Sequence, residues 1–239
     1  MTALLRYQTA ILLRSHRWIF PLIAYVLLIA VGAAGSTSLA ETLDWSGAML
    51  VPVVAFLTRA MLTAEPDAAR ACVSAASSPV RAQFATLIVP LGAGTVVGVA
   101  AAIFDVLTAE AAAKVPDGGL AGKVTAALQH PGIVAGGLTI ALVCLLVGSA
   151  VGALCNPPLL RNPAAAMLST LAAIILALAA GISPANAAIS HTTAQVADPV
   201  AAHWPGPAAL LGAVLLLAVT WGVSVLAATR RDTWSHSSS

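Results

Sequence analysis

Charged side chains are scarce in this chain. Only 8% of its 239 residues are Asp, Glu, Lys or Arg, whereas a soluble domain carries about 25%. Hydrophobic residues make up 59%, and the mean hydropathy is +0.94. This composition excludes a soluble globular domain and predicts a membrane protein. Backbone amides must pair within hydrocarbon, and the apolar runs are continuous rather than alternating. The predicted fold class is therefore all-α.

Cysteines and enzyme motifs are also few. Cys72, Cys144 and Cys155 are odd in number and lack CxxC spacing, which predicts neither a disulfide nor a metal site. No HExxH or GxSxG motif occurs. Gly122-Lys123 resembles the end of a nucleotide-binding loop, but Val124 stands where that loop needs Ser or Thr. We expect no catalytic residue, metal or cofactor in this chain, and its net charge of +2 indicates no nucleic-acid partner.

Six apolar runs have about the 20 residues that a membrane crossing requires. They cover residues 18–35, 46–63, 84–104, 131–154, 164–182 and 207–228. The absence of a repeat or linker indicates one domain over residues 1–239. The sequence therefore predicts six transmembrane helices, with both termini on the same side.

The arginines predict which side that is. With the N-terminus inside, all nine lie inside or near the inner boundary, while six of the nine acids lie outside. Lys114 and Lys123 are the only basic residues outside. The positive-inside rule therefore places both termini in the cytoplasm of a cell-membrane protein.

Residues 1–17 have the pattern of an amphipathic helix. On a helical wheel Arg6, Arg14 and Arg17 share one face, and apolar side chains gather opposite. This pattern predicts a helix lying in the cytoplasmic interface. The alternative is the start of a signal peptide.

Glycines and prolines mark two further features. Pairs with GxxxG spacing allow close packing of helices, and three occur: Gly94/Gly98, Gly132/Gly136 and Gly148/Gly152. The segment 183–207 is too short to span and contains four prolines. We expect it to form short re-entrant or interfacial helices between spans five and six, on the outer side.

The longest polar segment on the predicted inner side runs over residues 65–84. Together with the six spans and the amphipathic N-terminal helix, this segment resembles the membrane subunit of type-2 ATP-binding-cassette (ABC) exporters. Ala75-Ala76-Ser77-Ser78-Pro79-Val80-Arg81 is similar to the family's coupling-helix segment, and Glu65 stands where the family often has an acid. Leu159-Leu160-Arg161-Asn162-Pro163 looks like the family's basic turn between spans four and five. The Gly-Thr that often follows the acid is absent, since Pro66-Asp67 stands there.

The resemblance implies a function. The chain would be a permease subunit that exports a hydrophobic or amphipathic substrate, such as a drug, lipid or peptide, and is not itself an enzyme. A separate cytoplasmic ABC ATPase would bind Mg-ATP and dock on the coupling loop, residues 64–83, and a second permease subunit, identical or homologous, would complete the pathway. The residues implied in coupling are Glu65, Arg70, Ser78, Pro79, Val80, Arg81 and Arg161. The chief alternative is a non-transport anchoring or assembly subunit of a larger complex, and a membrane enzyme is the third.

Overall fold

The computed structural model describes residues 1–35, 39–108, 131–155, 162–181, 183–195 and 207–236. All regular secondary structure within these ranges is helical, which confirms the predicted fold class. The helices are α1 (Thr2–Ser15), α2 (Ile19–Gly35), α3 (Leu39–Leu62), α4 (Asp67–Ser77), α5 (Pro79–Thr108), α6 (Pro131–Leu154), α7 (Pro163–Ala179), α8 (Pro184–Gln195) and α9 (Pro207–His236).

Five segments are long and apolar enough to cross a membrane: α3, α5, α6, Ala164–Ser190 and Pro207–Ala227. A sixth is reached if α1 and α2, which meet at a bend of 73°, form one span. The membrane-helix character of the chain is thereby confirmed by length and composition, while the six-span layout stays a prediction.

Three helices extend well beyond the predicted apolar runs. Helix α3 begins at Leu39 rather than near residue 46, α5 runs from Pro79 to Thr108 rather than over residues 84–104, and α9 continues to His236 rather than ending near residue 228. Residues 39–45, which lie between the first two predicted runs, are therefore helical, and Asp105, just beyond the third run, also lies in a helix. Hydropathy ends a run at its first charged residues, but a helix can continue past them and bury a polar side chain against a neighbour.

Helix α3 lies at the centre of the bundle and packs most extensively against α6. Leu50, Val51 and Val54 of α3 and Val143 and Val147 of α6 are buried in their shared core. This close packing requires small residues on α6, because its backbone approaches the α3 backbone directly. A Cβ atom built on Gly148 would lie 2.7 Å from the carbonyl oxygen of Val51, and one on Gly152 would lie 2.7 Å from that of Ala55.

Two sharp breaks set the directions of α2 and α5. His16, with φ 53°, ends α1, and Ser78, with φ 131°, separates α4 from α5. Pro79 then begins α5, where its missing N–H is not needed. Because each break takes only a few residues, α1 ends close to the start of α2, and α4 ends close to the start of α5.

Helix α8 lies in the segment predicted to hold short helices. Its Ala185 and Ala188 are fully buried, and it packs against α6, α7 and α9. Asn186 secures the turn before it by donating a hydrogen bond of 2.7 Å to the carbonyl oxygen of Leu178. The re-entrant character of residues 183–207 stays a prediction, and residues 196–206 lie outside the described part.

Candidate functional site

A group of polar contacts joins α1 to the segment between α3 and α4, and two of its members, Gln8 and Glu65, are buried. We call this group the Glu65 junction, and it consists of Tyr7, Gln8, Arg17, Thr63, Glu65 and Arg70. The short turn after Leu62 brings Glu65 against α1, which packs against α5 and α3. The junction thereby connects the N-terminal helix to the base of α4.

Glu65 is the centre of the junction. Tyr7 Oη donates to Glu65 Oε1 at 3.2 Å, and Gln8 Nε2 donates to Glu65 Oε2 at 3.3 Å. Glu65 is only 7% exposed and Gln8 is fully buried. Burial and the adjacent Glu65 carboxylate raise the pKa of Tyr7 above its usual value of 10.0, so the phenol remains a neutral donor. A carboxylate that accepts hydrogen bonds from two donors on one helix fixes the position of that helix.

Two arginines bind the C-terminal end of α3. Arg17 Nη1 donates to the carbonyl oxygen of Thr63 at 3.1 Å, and Arg70 Nη2 donates to that of Leu62 at 2.7 Å. The last carbonyls of a helix lack partners within the helix and carry partial negative charge, so cations there are stabilising. The end of α3 is therefore linked both to the turn after α1 and to α4.

Helix α4 presents one face that the described part of the chain leaves exposed. Its exposed residues recur at helical spacing and are all small: Ala68, Ala71, Cys72, Ala75 and Ala76. The opposite face, which includes Arg70 and Val73, is half-buried against the rest of the chain. Beyond the break at Ser78, two residues at the start of α5 are exposed as well: Val80, at 39%, and Arg81.

The residues expected to couple to an ATPase fall into two groups. Glu65 and Arg70 point into the chain, where they make the hydrogen bonds described above. Val80 and Arg81 are exposed, and Ser78 and Pro79 are half-buried beside them. Ser78 accepts a hydrogen bond of 3.4 Å from the Arg81 backbone N–H. Arg161 lies outside the described residues.

The glycines chosen from GxxxG spacing differ in their surroundings. Gly148 and Gly152 lie against the α3 backbone, and Gly94 and Gly98 lie against the Val54 and Leu50 side chains of the same helix. A Cβ on Gly132 would meet open space, whereas Gly136 is buried. Gly137, which the spacing missed, contacts Leu43. Of the three predicted pairs, two thus have both glycines beside α3.

The basic face predicted on the N-terminal helix is present in part. Arg6 and Arg14 are exposed, while Arg17, in the turn after α1, is bonded to Thr63. Sequence reasoning did not select Tyr7 and Gln8. Gln8 does carry a signal, since on a helical wheel it falls between Leu4 and Leu12 on the apolar side. A polar side chain at such a position indicates a buried partner.

A second buried polar group that the sequence reasoning missed lies at the other end of α5. Asp105 is 1% exposed and lies beside the Ser46 side chain of α3, whose hydroxyl donates to the Leu43 carbonyl oxygen at 3.1 Å. Tyr25 Oη of α2 donates to the Ser46 carbonyl oxygen at 3.0 Å. Asp105 Oδ2 has no partner within the described residues. The signal for this contact is the spacing of Gly94, Gly98, Ala101 and Asp105, which share the face of α5 toward α3.

No protein-family model, curated protein or solved structure matches this chain. Within the described ranges, no three His, Cys, Asp or Glu side chains are grouped as metal ligands would be.

Proposed function

We propose that this chain is the permease subunit of a type-2 ABC exporter, with six spans and both termini in the cytoplasm. The observation that carries the proposal is the exposed face of α4, which the partly buried Glu65 junction holds between the end of α3 and the start of α5. A soluble partner that binds this face could move α3 and α5 together, because α4 lies between them in the chain.

The composition of the face suits a docking helix. Small side chains allow a partner surface to approach the α4 backbone closely, and Arg81 at the end of the face offers a charge for partner recognition. Because α4 also carries half-buried residues on its other side, it has separate faces for the body of the chain and for a partner. An ordinary solvated loop requires neither face.

The Glu65 junction supplies the mechanical connection. A force on α4 would reach α3 through Arg70, which donates to the Leu62 carbonyl oxygen at 2.7 Å. It would reach α1 through Glu65, which accepts from the buried Gln8 amide at 3.3 Å. Helices joined in this way move as one body. ATP-driven closure of two ATPase subunits would then move α1, α3 and α5 together, with Mg-ATP bound only by the partner.

The distribution of charge supports the orientation. Arg17, Arg70 and Arg81 gather where α1, α3, α4 and α5 meet, as the positive-inside rule expects of a cytoplasmic end. A second permease subunit, identical or homologous, would complete the pathway. The exported substrate is a hydrophobic or amphipathic molecule such as a drug, lipid or peptide.

The test is purification of the tagged chain from native membranes in a mild detergent, followed by identification of stoichiometric partners and measurement of ATPase activity. The wild-type chain should retain an ABC ATPase. Arg81→Glu should reduce that retention about tenfold or more, as loss of an arginine anchor does at an interface. Arg14→Glu is the matched control, because it makes the same charge change at an exposed position away from α4.

Two results would count against the proposal. Equal retention of the ATPase by Arg81→Glu and Arg14→Glu would remove the role given to the exposed face. A stoichiometric partner without ATPase activity would instead support an anchoring or assembly subunit.

A further inference from the structure

An apolar cavity of about 630 Å³ lies between α1, α2, α3 and α5. Its volume is within the range of about 300–1,000 Å³ found for ligand sites. Leu12 of α1, Leu57 of α3 and Val89 of α5 form part of its wall, and Trp18 lies between α1 and α2. We propose that this cavity binds an acyl chain of a membrane phospholipid. The inference does not depend on the transport role.

The cavity offers nothing to a polar ligand. Thr9 supplies the only side-chain hydroxyl of the lining, and that hydroxyl already donates to the carbonyl oxygen of Leu5 at 2.8 Å. The indole nitrogen of Trp18 donates to the carbonyl oxygen of Leu13. A polar ligand would lose its hydrogen bonds to water without replacement, which is costly. A hydrocarbon chain has no such bonds to lose.

The cavity is also accessible from the surface that would face lipid. Ile88 and Val96 of α5 line it and are 37% and 70% exposed. Ile103 and Phe104 continue this exposed apolar side along the same helix. An acyl chain in the bilayer could therefore enter sideways, past α5, without crossing a polar region.

The helix that covers the cavity carries exposed positive charge, which suits a phospholipid headgroup. Arg6 follows Leu5, and Arg14 follows Leu13; both arginines are exposed, whereas both leucines line the cavity. A chain bound under α1 would hold its phosphate at the level of this helix. Anionic lipids should consequently bind more tightly than zwitterionic ones.

Gly92 allows the cavity to be filled without disturbing the backbone. It lines the cavity, and a Cβ atom built on it meets nothing within 4 Å. Gly222 of α9 is the matched control, because its Cβ would also meet open space and it does not line the cavity. Gly92→Phe should fill the cavity, whereas Gly222→Phe should leave it open.

The experiment is native mass spectrometry of the full chain in detergent after incubation with phosphatidylglycerol or phosphatidylcholine. Wild type and Gly222→Phe should each retain one lipid, and phosphatidylglycerol should be retained more strongly than phosphatidylcholine. The lipid adduct of Gly92→Phe should be at least about tenfold less abundant than that of wild type. Absence of an adduct in wild type, or an undiminished one in Gly92→Phe, would overturn the proposal. The proposal would also be overturned if wild type formed a dimer that dissociated in Gly92→Phe while lipid retention stayed unchanged. In that case a second copy of the chain, rather than a lipid, would cover the cavity.

A fluorescence measurement on the wild-type chain gives a test that does not depend on the folding of Gly92→Phe. In bilayers of phosphatidylglycerol brominated midway along one acyl chain, the Trp18 share of the fluorescence, obtained by subtracting the Trp18→Phe signal, should be strongly quenched. A Trp18 signal equal to that in unbrominated phosphatidylglycerol would contradict the proposal.

Discussion

Replacing Gly148 with alanine should force α3 and α6 apart. The new Cβ would lie 2.7 Å from the Val51 carbonyl oxygen, whereas close C···O contacts between helices are about 3.3–3.6 Å. The two backbones must therefore separate by about 0.6 Å or more at this point. Because the opposing atom belongs to a backbone, no side-chain rotation can relieve the contact.

The expected cost follows from two opposing effects. Overpacking a close helix contact destabilises by about 1–3 kcal/mol, while alanine is favoured over glycine in a helix by about 1 kcal/mol. Gly222→Ala introduces a Cβ into open space on α9, so this variant shows the gain in helix propensity without overpacking. The difference between the two variants should therefore be about 1–3 kcal/mol, or about 2–12 °C in Tm for a chain of this size.

The assay is thermal unfolding of each purified variant in the same detergent, monitored by loss of the monodisperse peak in size-exclusion chromatography. Gly148→Ala should melt below both wild type and Gly222→Ala. Equal melting temperatures for the two variants would show that α3 and α6 do not pack as closely as described.

Two further predictions concern the buried polar groups. Glu65→Ala leaves the buried Gln8 amide without its acceptor, so it should lower the free energy of unfolding by about 1–3 kcal/mol and speed tryptic cleavage of α1. Tyr7→Phe removes a donor at a position 38% exposed and should lower the free energy of unfolding by less than about 1 kcal/mol. Equal losses in thermal unfolding would contradict the central place given to Glu65. Asp105→Asn removes a carboxyl that is costly to bury charged, so this variant should unfold at or above the wild-type temperature, and unfolding clearly below it would refute this reasoning.

Hydropathy predicted most of the long helices, because the length of an apolar run can be read directly from the local sequence. Helix α6 occupies Pro131–Leu154 and α9 begins at Pro207, as the runs over residues 131–154 and 207–228 predict. Prolines mark both starts, where they fit the first turn of a helix. The ends of α3 and α5 were missed because burial of Asp105 against Ser46 depends on a neighbouring helix.

The candidate site could be predicted only in outline. Residues 65–84 are polar and can form a short helix, and both properties can be read from the local sequence. Helix α4 lies within that segment. The pairing of Gln8 with Glu65 joins residues 57 positions apart, and no spacing rule predicts such a contact. The inward direction of Arg70 likewise depends on where the end of α3 lies.

The orientation of α4 is the claim on which the proposed function most depends, and Cys72 can report it. Cys72 is exposed on α4, whereas Cys144 and Cys155 are buried, so the unaltered chain carries a single accessible thiol among its cysteines. A membrane-impermeant maleimide should leave Cys72 unlabelled in intact cells, label it in inside-out membranes, and label it more slowly when the ATPase is bound. Rapid labelling of Cys72 in intact cells would place α4 on the outer surface and contradict the account.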